Sequence, residues 1–384
     1  MKSILAIVIA GSLIVSNPAN ANEFNEAIDS IMEQAIKDGT PGCNLGVIHE
    51  GHFIHKKGYG LSNLELETPL DGTQVHRMAS VSKQFTAMAV LLLADDGKIA
   101  LDEDIRTYLP SLPDYGHKIT INSMLGHFSG MGDYELMAAS YEGDKSEKAI
   151  ELKSVAGGPF RLGNEDYLTI HEFFDVVRTV PLALEPETEF RYSNLAYFLL
   201  SMLVEKVTGQ SLRQYSHERI FVPLGMNNTF FSDDPVEIVK NRAYGYKQRD
   251  DGTYITDMTN LFWVGDGGLH TNLDDLLIWN SHFYSPKLGK NPKQLIADMN
   301  TANSKFEAAD GVLYANGQFV REKDELLVFS HTGGWLGTHT FFSRIPDKDL
   351  AIAWMCNDIS NPKLGKSVEE VGSFVIKQFS NKIQ

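Results

Sequence analysis

Cysteine is scarce in this chain: Cys43 and Cys356 are the only two in 384 residues. A disulfide-dense scaffold is thereby excluded. No Cys/His spacing of zinc type and no HExxH occur, so the common zinc sites drop out and neither a metal nor a cofactor is expected. Basic residues are also in short supply, 34 Lys and Arg against 50 Asp and Glu, for a net charge of -16. That balance argues against nucleic acid or an anionic membrane surface as partner. Long apolar runs are missing too. The first, Ile4 to Val15, is about twelve residues, too short to span a bilayer. It follows Met1-Lys2-Ser3 and precedes Ala19-Asn20-Ala21, a charged start, an apolar stretch and a small-x-small cleavage site. Residues 1–21 therefore read as a signal peptide cleaved after Ala21, giving an exported protein, periplasmic or secreted. No cysteine follows the cleavage site for a lipid anchor, so no stable membrane anchor is expected.

Hydrophobic residues make up 43% of the chain, enough for a substantial core. Phe24, Ile28, Ile31, Met32, Ala35 and Ile36 share a helical face that ends at Gly39-Thr40-Pro41-Gly42. Strand-like runs at Asn44 to His49 and His52 to Tyr59, split by Glu50-Gly51, predict a hairpin. From Ser80 to about Asn300 the periodicity is mainly helical. Strands return as a meander: Val312 to Arg321, Leu326 to Ser330, Thr338 to Ile345 and Leu350 to Met355, followed by a last helix, Val368 to Phe379. Strands at both ends around a helical middle imply an antiparallel sheet built from both termini, flanked by helices, with an all-α insertion. The α/β part covers about 22–79 and 312–384, and the helical part about 80–311. The stretch Ser140 to Asn164, with Gly143 and Gly157-Gly158-Pro159, is the candidate mobile loop.

Ser80-Val81-Ser82-Lys83 carries the chemistry, because a hydroxyl and an amine three residues apart at a helix start share one face. Unpaired N–H groups at that helix end favour the negative charge that develops in acyl transfer. A second match, Ser360-Asn361-Pro362-Lys363, has proline where the helix interior would have to be. Acyl transfer also needs a proton shuttle and oxyanion donors. Tyr192-Ser193-Asn194 stands between Pro186 and an apolar helix from Leu195 to Val207, and a nearby ammonium favours the Tyr192 phenolate. Tyr314-Ala315-Asn316 has the same pattern but lies inside an expected strand, where nothing frees it for chemistry. His331-Thr332-Gly333-Gly334 follows the strand Leu326 to Ser330, and its glycines let a substrate approach the backbone.

These three elements, in this order, resemble the serine β-lactamase and penicillin-binding D-alanyl-D-alanine carboxypeptidase superfamily, with its Ser-x-x-Lys, Tyr-x-Asn and Lys/His-Thr-Gly signatures. The resemblance extends to His127-Phe128-Ser129-Gly130, Pro223-Leu224-Gly225-Met226 and Gly265-Asp266-Gly267-Gly268, and covers about Phe24 to Phe379. It implies an active site in the cleft between an α/β domain and a helical one, acting on a small-molecule or peptide substrate. Ser80 would be acylated, Lys83 would take its proton, and Tyr192 would pass protons to the leaving group. Asn194 would bind the acyl side chain's amide, with His331, Thr332 and Gly333 lining the substrate site. The N–H groups of Ser80 and Gly334 would form the oxyanion hole. The implied activity is hydrolysis of D-amino-acid peptides, amides or esters. A carboxylesterase and a β-lactamase are the alternatives, with a non-catalytic penicillin-binding-like protein behind them.

Oxidation of Cys43 and Cys356 to one disulfide and two buried thiols are both compatible with the residues alone. Pairing of the first strand with the last, as in that fold, would bring them together. His331 replaces the lysine of many members, and an unperturbed imidazole loses its charge above about pH 6.5, so help to an anionic substrate should fade there. Gly334 stands where carboxylate-recognising members often carry a hydroxyl, which removes a hydrogen bond to a substrate carboxylate. No Ω-loop glutamate is evident, since Glu185 and Glu187 fall in a proline turn and read as surface. Ser129 reads as part of a helix-ending loop, and His270 and His339 as structural. Trp263, Phe262, Trp335 and Tyr134 are candidate pocket aromatics. Nothing in the pattern speaks to the oligomeric state.

Overall fold

The computed structural model describes residues 18–136, 168–234, 236–259, 264–323 and 325–380. Helix α1 is Pro18–Glu33, starting upstream of the expected new terminus at Asn22. Strands β1, Cys43–His49, and β2, His52–Tyr59, form the expected hairpin. At the other end of the chain lie β3 (Val312–Ala315), β4 (Gln318–Lys323), β5 (Leu326–Trp335), β6 (Thr338–Ile345) and β7 (Leu350–Cys356). All seven make one antiparallel sheet in the order β3-β4-β5-β6-β7-β1-β2, so the two ends of the chain meet where β7 pairs with β1.

β7, the run Leu350 to Cys356, is buried at every residue because both its faces are covered. Leu350, Ile352 and Trp354 join Leu45 and Val47 of β1 against Ile28 and Met32 of α1. The same layer takes Val368, Val371 and Val375 of the last helix. Ala351, Ala353 and Met355 face the other core, with Phe342 and Leu273. Each fully buried Leu, Ile or Val in these layers contributes about 1.5–3 kcal/mol. The last helix, α5, is Pro362–Ser380, longer than its apolar pattern, because Pro362 sits at the helix start where a missing N–H costs nothing.

Cys43 and Cys356 face each other across β1 and β7 and are joined as a disulfide. The bridge closes a loop spanning a sequence separation of 313 residues. Reduction, or Cys356→Ser, should therefore destabilise the protein by about 2–5 kcal/mol, read as a lower denaturant midpoint. An unchanged midpoint would show that the sheet is already held without it.

Two local features differ from the sequence pattern. Val312 to Arg321 is two strands rather than one, because Asn316 (φ 41°) and Gly317 (φ 91°) turn the chain into a tight hairpin. Asn-Gly is the strongest short signal for such a turn. The largely helical middle also carries a three-stranded sheet of His76–Arg77, Leu269–Thr271 and Phe230–Phe231. Its principal helices are α2 (Lys83–Asp95), α3 (Asn194–Thr208) and α4 (Leu273–Tyr284). Ser140 to Asn164, Phe262 and Trp263 lie outside the described residues.

Candidate active site

Ser80 lies in a single 3-10 turn, Ala79–Ser82, that feeds directly into α2. Residues three apart eclipse in such a turn, so the Ser-x-x-Lys spacing brings Lys83 Nζ to 3.2 Å from Ser80 Oγ. The turn is pinned from several sides. Met78 N donates to Leu269 O (2.8 Å), Leu269 N donates to Ser82 Oγ (3.0 Å), and Thr340 Oγ1 donates to Met78 O (2.7 Å). Ala79 itself sits at φ 45°, a conformation that only a well-supported turn imposes on a non-glycine residue.

β5 supplies the opposite wall. The expected strand Leu326 to Ser330 continues through His331-Thr332-Gly333-Gly334 to Trp335. Its partner β4 stops at the Phe319–Ser330 pair, whereas β6 stays paired up to Thr338–Trp335. Among the described strands, the flank of β5 beyond Ser330 is therefore open toward Ser80. Gly333 lies against the Ser80 turn: a Cβ there would come within 2.3 Å of Met78 O and of Thr340 Oγ1, so only glycine permits this approach. Thr332 and Gly334 alternate with it and are exposed.

Lys83 is fully buried and donates to three acceptors: Ser80 Oγ, Asn194 Oδ1 (2.7 Å) and the main-chain O of Asp266 (2.8 Å). Burial pushes its ammonium down to about 8, against the opposing pull of Asp266 and Asp133. Asn194 opens α3 behind the cap Ser193, whose Oγ accepts from Ala196 N (3.1 Å). Its Nδ2 donates to Asp133 Oδ2 (3.0 Å), which leaves one amide hydrogen for a substrate carbonyl. Asp266 is buried, and its Oδ2 accepts from Tyr134 Oη at 2.5 Å.

The Tyr192 ring stands 4.9 Å from Lys83 Nζ. The expected phenolate does not follow. Burial pushes its phenol well above the ordinary value and outweighs a favourable interaction with Ser80, so Tyr192 keeps its proton. The expected titration of His331 is overturned for the same reason: burial, with Lys83 adding to it, holds the imidazole down at about 3. His331 Nδ1 donates to Thr332 O (2.6 Å), leaving Nε2 to accept from Tyr314 Oη (3.1 Å). His331 is thus a neutral group across the physiological range. Tyr314, set aside above as a strand residue, belongs to this cluster, because the Asn316-Gly317 turn swings the end of β3 against it.

His127, Asp133 and Asp266 join the site without a role read from the sequence, and Tyr134, expected as a pocket aromatic, holds Asp266. His127 (φ 59°) accepts from Ser193 N through Nδ1 (3.1 Å), and its ring lies tilted 4.3 Å from Tyr192 and 4.5 Å from Tyr314, ring centre to ring centre. Its only local signal was the His-Phe-Ser-Gly segment. Ser129 takes no part beyond a bond from Met131 N, Glu185 and Glu187 are exposed, and His270 is a buried strand residue. Tyr134 and Trp335 do meet, 5.9 Å between ring centres. Ser360 and Lys363 flank the start of α5, where Ser360 N and Oγ both donate to Asp358 Oδ1 and Lys363 N donates to Asn361 Oδ1.

Comparison with known proteins points to one family and one fold. The chain is 26% identical to Protein flp of Staphylococcus aureus (strain MRSA252), over 92% of this chain and 67% of that protein. Among solved structures, an octameric penicillin-binding protein homologue from Pyrococcus abyssi superposes with a TM-score of 0.77 at 22% identity, covering 94% of this chain and 79% of that one. The D-amino acid amidase from Ochrobactrum anthropi SV3, complexed with D-phenylalanine, gives 0.72 at 20% identity, covering 94% and 99%. Matched over residues 24–370 by the Beta-lactamase family model, the chain belongs to that family, whose members are serine hydrolases.

Proposed function

We propose that the protein is an exported serine hydrolase that cleaves amide or ester bonds through an acyl-enzyme on Ser80, with D-amino-acid-containing peptides or amides as substrates. The observation that carries this reading is Lys83: buried, 3.2 Å from Ser80 Oγ, and held at about 8, so that its neutral form is accessible near neutral pH. Neutral Lys83 takes the Ser80 proton as Oγ attacks the substrate carbonyl carbon. The N–H groups of Ser80 and Gly334 receive the oxyanion. The proton passes through the protonated Tyr192 to the leaving amine or alcohol as its bond to the acyl carbon breaks. Water then attacks the ester carbonyl, gives its proton to Lys83, and returns Ser80 to its hydroxyl form. His331, with Nε2 engaged by Tyr314, shapes the wall with Thr332 and Gly333 rather than moving protons.

The likeness to a D-amino acid amidase supports a D-configured centre beside the scissile bond. The leader-like first 21 residues support export with cleavage after Ala21, as does the Cys43–Cys356 bridge, since such bonds persist in oxidising compartments. N-terminal sequencing of the exported protein should begin at Asn22, and a retained Met1 would end that part of the proposal.

A carboxylesterase is the second reading. It is favoured by the Ile359 side chain lying 3.4 Å from where a Gly334 Cβ would stand, an apolar contact where a carboxylate binder would place a hydroxyl. Parallel assays of D-alanyl and L-alanyl p-nitroanilides with p-nitrophenyl acetate separate the two. The D-substrate should exceed the L-form by at least about tenfold in kcat/KM, the size of a lost contact or two. Turnover of the acetate alone would select the esterase.

A further inference from the structure

Tyr192 stands in residues 191–193, a segment that belongs to no described strand, so its main-chain N–H groups lack the partners a sheet would supply. One residue takes the two that flank Tyr192. Arg191 N donates to His127 O (2.7 Å), and Ser193 N donates to His127 Nδ1 (3.1 Å). His127 does this with its main chain at φ 59°, a left-handed conformation that histidine and asparagine adopt more readily than most residues. The chain beyond Tyr192 is held from the same stretch: Ser193 Oγ donates to Gly132 O (2.9 Å), and Asn194 Nδ2 to Asp133 Oδ2 (3.0 Å).

His127 is fully buried, and its ring lies 4.3 Å from the Tyr192 ring, centre to centre. Because Nδ1 accepts, Nε2 carries the hydrogen, and Nε2 has no hydrogen-bond partner among the described residues. The imidazole is therefore no link in a proton chain, and its bonds go to the backbone on either side of Tyr192. Burial, with Lys83 and His331 nearby, holds the imidazole well below its ordinary value, which keeps the Nδ1 lone pair available as an acceptor.

We propose that His127 is a positioning residue: its two bonds to the Arg191 and Ser193 N–H groups fix the Tyr192 hydroxyl where it relays the proton held by Lys83 to the leaving group, and this clamp decides whether amides are cleaved as well as activated esters. The assignment rests on the acyl-enzyme reading above and extends it to a residue that touches none of the reacting atoms. An amide nitrogen must gain a proton as its bond to the acyl carbon breaks, because the amine anion is a very poor leaving group. p-Nitrophenolate departs as a stable anion and needs no proton. Loosening Tyr192 therefore penalises amides selectively, since a misplacement of about 1 Å can cost about 10²-fold.

The test is kcat/KM, which reports acylation, on the full chain with D-alanyl p-nitroanilide and the p-nitrophenyl ester of the same acyl group. His127→Ala should lose about 10²-fold on the anilide and at least about tenfold less on the ester. His127→Asn keeps an acceptor, Oδ1, in the place of Nδ1 and tolerates the left-handed backbone, so it should stay within about threefold of wild type on both. His127→Phe keeps the ring without the acceptor; it should behave as the alanine variant and stands in for it if a thermal melt shows that variant unfolded. Equal losses on the two substrates in His127→Ala, or an anilide-selective loss of about tenfold or more in His127→Asn, overturn the clamp. Tyr192→Phe should itself show an anilide-selective loss, and adding His127→Ala to it should change the anilide rate by no more than about twofold, as expected of a residue that acts through Tyr192. An undiminished His127 effect in that background also overturns the proposal. Full anilide turnover by Tyr192→Phe would instead strike the relay role of Tyr192 in the acyl-enzyme reading, and the clamp with it.

Discussion

Replacing Ser80 with alanine should lower turnover of every accepted amide and ester by roughly 10⁴-fold or more, as loss of a covalent nucleophile does in serine hydrolases. The fold should survive, since Ser80 Oγ accepts one 3.2 Å bond from Lys83 and Lys83 keeps Asn194 Oδ1 and Asp266 O as acceptors. The stability change should therefore stay near 0.5–1.5 kcal/mol, the net worth of about one hydrogen bond. Steady-state kinetics with a thermal melt on the same preparation reads both. A variant that keeps more than about a tenth of wild-type activity would mean that another group attacks the carbonyl.

Lys83→Met is the second large effect. Methionine retains most of the apolar stem and removes the base, so kcat/KM should fall by about 10²- to 10⁴-fold, the span of general acid–base catalysis. The wild-type pH profile carries the same information. The base form is the neutral amine, so below the Lys83 value of about 8 the rate should rise tenfold per pH unit, levelling above it. Because burial holds His331 at about 3, no inflection from it should fall between pH 5 and 7. Tyr192, pushed well above its ordinary value, should stay protonated throughout. A plateau already reached by pH 6.5 would transfer the base role away from Lys83.

Much of the frame was legible because it rests on local pattern. The strand-like runs of β1 and β2 around Glu50-Gly51, the unbroken apolar run of β7, and the Ser-x-x-Lys spacing are all properties of neighbouring residues, and each is found where the pattern put it. The Asn316-Gly317 hairpin was equally local and was passed over in favour of a longer apolar run, which also hid Tyr314. Other features depend on distance in space. Asp133 and Asp266 reach Lys83 from sites 50 and 183 residues along the chain, and no spacing rule connects them. The charge states of Tyr192 and His331 belong to the same class. A ring beside an ammonium suggests a phenolate, and a histidine suggests a titration near neutrality. Burial decides both the other way, and burial is a property of the packed cleft rather than of the motif.

The acyl-enzyme itself offers the most direct test. Wild-type and Ser80→Ala proteins would be mixed with the best-hydrolysed ester or amide, quenched in acid within the first turnovers, and weighed intact, with the peptide containing Ser80 mapped by fragmentation. The account predicts that wild type gains the mass of one acyl group on Ser80 and that Ser80→Ala gains none. Substrate turnover by wild type with the label on another residue, or an equal adduct on Ser80→Ala, would contradict it.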